Sequence, residues 1–184
     1  MSRLVIVSGP PGAGKSTVAR RLSQQVASPL ALHMHTDDMY GHIKKGFIPP
    51  WMPESRDQNV TLMKAMAASA GICAAGGYEV FIDGIVGPWF FDPWIEAART
   101  HGTELHYVVL LPDEATTVGR ATSRTYPGAM RDAAIAQHMW RQLQSYDIGE
   151  RHRLDTSLQA AAETVSAVFE GLAEGRFRLA QTLG

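Results

Sequence analysis

A single cysteine, Cys73, stands among the 184 residues, which excludes an internal disulfide and any metal site built from several thiolates. That scarcity fits a reducing compartment, and the cytoplasm is the expected location. A surplus of one charge is also missing: 17 Lys and Arg face 18 Asp and Glu, a formal net charge of −1. No overall positive field draws the chain towards nucleic acid or anionic lipid, so neither nucleic acid nor membrane is expected as a partner. Long apolar runs are absent, and nothing approaches the roughly 20 consecutive apolar residues that span a bilayer. The start, Met1-Ser2-Arg3, leads into no secretory apolar stretch, and no internal repeat or low-complexity tract follows. What is present is 45% hydrophobic residues in a length typical of one domain, so residues 1–184 are read as a single unit with a sizeable core.

Short apolar or β-branched runs alternate with longer helical patterns, the signature of βαβ units around a parallel sheet. Strands are expected at Arg3–Ser8, Ala31–His35, Glu79–Ile82, Glu104–Leu111 and near His152–Leu154. Helices are expected at Lys15–Val26 and Asp57–Ala75, from Asp92-Pro93 with Asp as N-cap, from near Asp113, over Asp132–Tyr146 and over Ser157–Ala173. The loop Gly46–Pro53 carries three prolines in eight residues and is neither helix interior nor central strand. A second break, Thr125-Tyr126-Pro127-Gly128, reads as the tip of a mobile lid.

The first strand runs into Gly9-Pro10-Pro11-Gly12-Ala13-Gly14-Lys15-Ser16, which satisfies G-x-x-x-x-G-K-[ST] with a strand before it and a helix after. Glycines let the backbone curl so that its N–H groups point at phosphate oxygens, and the helix N-terminus adds positive potential. Gly9, Gly12, Ala13, Gly14, Lys15, Ser16 and Thr17 are therefore the expected nucleotide-binding residues. Lys15 would reach the β- and γ-phosphates of ATP, and the Ser16 hydroxyl would ligate Mg²⁺.

In doubly wound sheets, ligands lie beyond the carboxyl ends of the strands. Two of these ends are acidic: His35-Thr36-Asp37-Asp38 and Ile82-Asp83-Gly84. A hydroxyl attacking a γ-phosphate needs a neighbour that orients it and accepts its proton, a role open to Asp37 or Asp38, while the other of the pair caps the next helix. Asp83 is read as a metal or acceptor-site carboxylate, against an Asx-type turn with Gly84.

Arg120 and Arg124 stand four residues apart and would share one helical face. They are read as clamps on the transferring phosphoryl group, against surface pairing of Arg120 with Glu114 or Asp113. Trp51, Trp89, Phe90, Phe91 and Trp94 cluster in the loops after the second and third strands. They would rim the acceptor side and bind a largely apolar or ring-bearing molecule, or else pack between loops and helices. His33 and His35 share a strand face without a third ligand at sensible spacing, and are read as satisfied polar residues.

In this order, "SGPPGAGKST", "HTDDMY", "VFIDGIVG", "GRATSR" and "YDIGERHRLDTS" resemble the small phosphate-loop kinases of the nucleoside monophosphate kinase, shikimate kinase and gluconate kinase group. The closest likeness is to the chloramphenicol phosphotransferases. The resemblance implies a three-layer α/β/α fold around a five-stranded parallel sheet of order 2-3-1-4-5, with a short lid at about residues 120–131. It also implies transfer of the ATP γ-phosphate to a hydroxyl of a small molecule. By the same likeness Asp37 is the acceptor-activating aspartate, Arg120 and Arg124 are lid arginines, and Leu154–Ser157 is the turn beside the adenine. The proline-tryptophan loop has no counterpart in the antibiotic kinases, so the acceptor is not carried over; Asp38, Trp51 and Trp89 join Asp37 as candidate acceptor contacts. The competing reading is a nucleotide-binding regulatory or toxin-like module acting on a protein or a nucleotide-linked sugar. A polynucleotide 5′-kinase is disfavoured by the lack of a basic surplus.

Overall fold

The computed structural model describes residues 2–125 and 130–179. Five strands, β1 (Arg3–Ser8), β2 (Ala31–His35), β3 (Glu79–Asp83), β4 (Glu104–Leu110) and β5 (Arg153–Leu154), form one sheet. All pairings are parallel and the order is β2-β3-β1-β4-β5, the order that the family resemblance implied. The central strands β1 and β3 are buried on both faces, which is why they read as continuous apolar runs.

Side-chain alternation splits the core into two layers. Leu4, Ile6, Val80, Ile82, Leu105, Tyr107 and Val109 face α3 (Arg56–Ala75) and α4 (Phe91–His101), where Met63, Met66, Ala67, Ala70 and Trp94 fill the gap. On the opposite face, Val5, Val7, Phe81, Val108 and Leu110 meet α1 (Lys15–Gln25) and α7 (Ala161–Ala173) through Val18, Leu22, Val165, Val168 and Leu172. Both layers draw on apolar positions that recur at helical spacing, so each helix buries one stripe. None of the described helices is long and apolar enough to cross a membrane.

Several boundaries differ from expectation for physical reasons. A six-residue helix, α2 (Thr36–Gly41), starts directly after β2, and Asp37 and Asp38 occupy its first turn, where carboxylates meet the positive end of the helix. Asp92 is not the N-cap of α4: a 3₁₀ turn at Pro88–Phe90 leads straight into the helix, and Pro93 is tolerated because first-turn N–H groups have no intrahelical partner. The last helix begins at Ala161 rather than Ser157. Ser157 is instead held in a turn by the Asp155 carboxylate, which accepts from its N–H and its hydroxyl, while Glu163 accepts from the Ala160 N–H. Helices α5 (Glu114–Thr122) and α6 (Ala133–Ser145) start where expected, and the structure adds their caps: Asp113 accepts from the Thr116 N–H, and Asp132 from those of Ala134 and Ile135.

Candidate active site

The loop after β1 owes its shape to glycines at positions where other residues are strained or blocked. Gly12 and Gly14 adopt φ of 89° and 90°, in the left-handed region. A Cβ on Gly9 would lie 2.3 Å from the Leu110 carbonyl oxygen, and one on Gly12 would lie 2.6 Å from that of Thr117. The end of β4 and helix α5 thus press the loop from two sides. Ala13 is buried and its N–H donates to the Pro10 carbonyl at 3.2 Å. Gly14 is the N-cap of α1 and offers no side chain, so the first-turn N–H groups, with Ser16 and Thr17 beside them, are directed at whatever anion occupies the loop.

Lys15 folds back over this loop, its Nζ donating to the Pro10 carbonyl at 2.9 Å, and only 8% of the residue is exposed. Burial pulls its pKa from 10.5 down to about 8; the Asp83 charge opposes the shift, Arg124 adds to it and Asp37 opposes it. Parallel pairing in register sets Val7, Asp83 and His35 side by side across β1, β3 and β2. Asp83 is fully buried, accepts from the Ser16 hydroxyl at 2.5 Å and lies 2.6 Å from His33 Nε2. Burial alone would raise the Asp83 pKa, but the hydrogen bonds from His33 and Ser16 and the charge of His35 outweigh it and hold the carboxyl below its usual range. A hydroxyl and an ionised carboxylate converging beside a phosphate-binding loop form a hard oxygen donor set suited to Mg²⁺, which takes one or two carboxylates together with substrate phosphates.

The loop opens on a cavity of about 320 Å³. Lys15, Ser16, Pro11 and Arg124 line one end, and Asp37, Tyr40, Asn59, His138 and Gln142 contribute polar groups to the rest. Trp51, Trp89, Phe90, Ile85, Met63 and Met139 supply the apolar wall. Asp37 stands on this wall with 76% of its side chain exposed, whereas Asp38 is exposed and lies off it. Tyr40 donates to Asn59 Oδ1 at 3.0 Å, and burial together with the Asp37 charge pushes its hydroxyl up to about 12, so it stays a donor at neutral pH.

The other expected positions divide. The helical face meant to carry Arg120 and Arg124 together is not formed, because α5 ends at Thr122. Arg124 reaches the cavity, while the Arg120 guanidinium donates to the carbonyls of Thr156 and Ser157 at 3.1 to 3.3 Å, on the turn before α7. Arg120 does not pair with Glu114, which binds Arg141 at 2.9 Å, or with Asp113, which caps α5. Trp94 is fully buried among core residues and Phe91 packs edge-on against Tyr107, so neither rims the acceptor side. The turn at Tyr126-Pro127-Gly128 lies outside the described residues. Tyr40, Asn59, His138, Met139 and Gln142 were not singled out from sequence; the only available signal was the helical spacing of His138 and Gln142.

A phosphate-binding loop between the first strand and helix of a β2-β3-β1-β4-β5 parallel sheet defines the phosphate-loop kinase fold. Residues 4–148 match the family described as AAA domain, and the chain belongs to that family. No curated protein matches the sequence. Among solved structures, a sugar kinase from Janibacter sp. HTCC2649 superposes with a TM-score of 0.69 at 19% identity, covering 94% of this chain and 95% of that one. The Deinococcus radiodurans tunicamycin resistance protein gives 0.67 at 13% identity, over 94% and 96% of the two chains. A gluconokinase from Sinorhizobium meliloti 1021 gives 0.64 at 21% identity, over 95% and 93%.

Proposed function

We propose that the chain is an ATP- and Mg²⁺-dependent phosphotransferase that moves the γ-phosphoryl group to a hydroxyl of a small, uncharged, ring-bearing molecule. The observation that carries this reading is a single cavity with Lys15 of the phosphate loop at one end and the exposed carboxylate of Asp37 on its wall. The kinases among the structural neighbours support the same class of chemistry.

Ser16 and Asp83 would hold Mg²⁺, which would supply positive charge beside the triphosphate. Lys15 and the first-turn N–H groups of α1 bind and orient the triphosphate. Asp37 accepts the hydrogen bond of the acceptor hydroxyl, aims its oxygen at the γ-phosphorus and takes its proton as the new P–O bond forms and the bond to the ADP oxygen breaks. Arg124, which lines the cavity, provides planar N–H donors for the transferring oxygens. Arg120 braces the turn beside the nucleotide base instead of the phosphates.

The polarity of the acceptor follows from the cavity's charges. Lys15 and Arg124 are the only Lys or Arg side chains among the described lining residues, and both belong to the phosphate end. An acceptor carboxylate or phosphate would be desolvated against an aromatic wall that carries, among the described residues, no Lys or Arg of its own. Rings, by contrast, suit Trp51, Trp89 and Phe90, while Asn59, His138 and Gln142 set orientation.

The test is a pair of substitutions. Asp37→Asn lowers transfer by about 10²- to 10⁴-fold with nucleotide affinity unchanged, and Asp38→Asn leaves transfer near wild type. Equal activity in Asp37→Asn and wild type sinks the assignment.

A further inference from the structure

The two oxygens of Asp83 have different owners. Oδ2 accepts from Ser16 at 2.5 Å on the loop side, and Oδ1 lies 2.6 Å from His33 Nε2 on the edge-strand side. An ionised carboxylate only accepts, so the hydrogen of this short contact sits on His33 Nε2. The terminal torsion of an aspartate is broad and roughly two-fold, and without a partner on Oδ1 the group would swing and exchange its oxygens. His35, the other histidine on this face, stands farther off, with Nδ1 3.5 Å from Asp83 Oδ2 and Nε2 3.7 Å from Asp37 Oδ2. Neither His33 nor Asp83 lines the cavity: His33 meets Asp83, and Asp83 meets the lining residue Ser16.

We propose that His33 is a positioning residue that fixes the Asp83 carboxylate from behind, so that Oδ2 faces Ser16 and a metal-bound triphosphate. The inference rests on the reading of Ser16 and Asp83 as the metal-holding pair. A donor that orients a metal-binding carboxylate adds to metal affinity without adding to affinity for the metal-free ligand. A purely structural histidine, filling space or satisfying a buried charge, would affect both alike.

The experiment uses the full chain, Mn²⁺ as the probe metal and a non-hydrolysable ATP analogue. Two affinities are measured: Mn²⁺ for the protein–analogue complex, by electron paramagnetic resonance, and the analogue alone in chelator, by calorimetry. His33→Leu is expected to weaken Mn²⁺ by about 10- to 100-fold and the metal-free analogue by less than about threefold, while His33→Gln, which keeps a donor, stays within about fivefold of wild type. Unchanged Mn²⁺ affinity in His33→Leu, equal weakening of both affinities, or a Gln variant as weak as Leu each overturn the proposal. Should His33→Leu not fold, the Gln variant and the wild-type ring still decide. Long-range ¹H–¹⁵N correlations must show a proton on His33 Nε2, and a ring protonated at Nδ1 alone overturns it. Wild-type protein that binds no Mn²⁺–analogue complex overturns the kinase reading and this one together, whereas normal wild-type binding with unaffected variants overturns this one alone.

Discussion

Lys15, proposed above as a phosphate-binding lysine, should make nucleotide affinity depend on pH. In the free protein its pKa is drawn from 10.5 to about 8, mainly by burial. The ammonium is then about 90% protonated at about pH 7 and about 10% at about pH 9. A bound triphosphate places anionic oxygens against the ammonium and returns its pKa to the ordinary range or higher. Because the free value lies below the bound one, binding takes up a proton above pH 8. Affinity is complete below the free pKa and is lost as pH rises through it towards the bound value. Between about pH 7 and about pH 9 the loss is about tenfold, with about 0.9 proton taken up per nucleotide at the upper end. Calorimetry with a non-hydrolysable ATP analogue and Mg²⁺, in two buffers of different ionisation enthalpy, reads both numbers, and Lys15→Met must abolish the slope. A flat wild-type profile, or the same decline in Lys15→Met, refutes the reasoning. The same burial acts on folding with a definite sign. A lysine whose folded pKa is below its unfolded value costs stability below pH 8, at most about 3 kcal/mol, and the cost fades as pH rises towards 10.5. Lys15→Met therefore raises the melting temperature near neutral pH by several degrees while it removes function.

Two further perturbations separate packing from acceptor binding. Trp94→Ala empties the largest fully buried position and costs about 3–5 kcal/mol in chemical denaturation. Trp51→Ala, at a residue 50% exposed, changes stability by less than about 0.5 kcal/mol and weakens a ring-bearing acceptor by up to about tenfold. A large stability loss in Trp51→Ala would place it in the core instead. Gly84→Ala puts a Cβ 2.0 Å from Thr36 Oγ1, at the start of the helix that carries Asp37. It costs about 1–3 kcal/mol and lowers transfer with nucleotide affinity kept. Unchanged transfer would show that α2 is not set through this contact.

The parts of this site that the sequence made legible are those where chemistry and local geometry coincide. The phosphate loop needs its glycines, lysine and serine in one run between a strand and a helix, so the eight residues Gly9–Ser16 declare it without tertiary information. β1, β3 and β4 were legible because parallel strands buried on both faces read as short apolar runs. Six-residue α2 is too short to display a helical period, and it emerged only in the fold. Arg120 and Arg124 were paired by spacing, yet the end of α5 at Thr122 sends them to different places. Trp94 and Trp89 lie close in sequence and part company because α4 buries one face and the preceding 3₁₀ turn leaves Trp89 at the cavity. The polar wall from α6 and the Tyr40–Asn59 contact depend on long-range packing, which no local pattern records.

The most direct test of the central claim is a product measurement. The wild-type chain is incubated with ATP, Mg²⁺ and a panel of uncharged ring-bearing alcohols, with sugars and sugar acids alongside, and ADP and phosphorylated acceptor are quantified together by mass spectrometry. At least one uncharged alcohol should gain a single phosphoryl group in one-to-one ratio with ADP, and Lys15→Ala should produce neither. Nucleotide binding without any phosphorylated acceptor, or ADP matched only by inorganic phosphate, would contradict the account and favour a regulatory nucleotide-binding module.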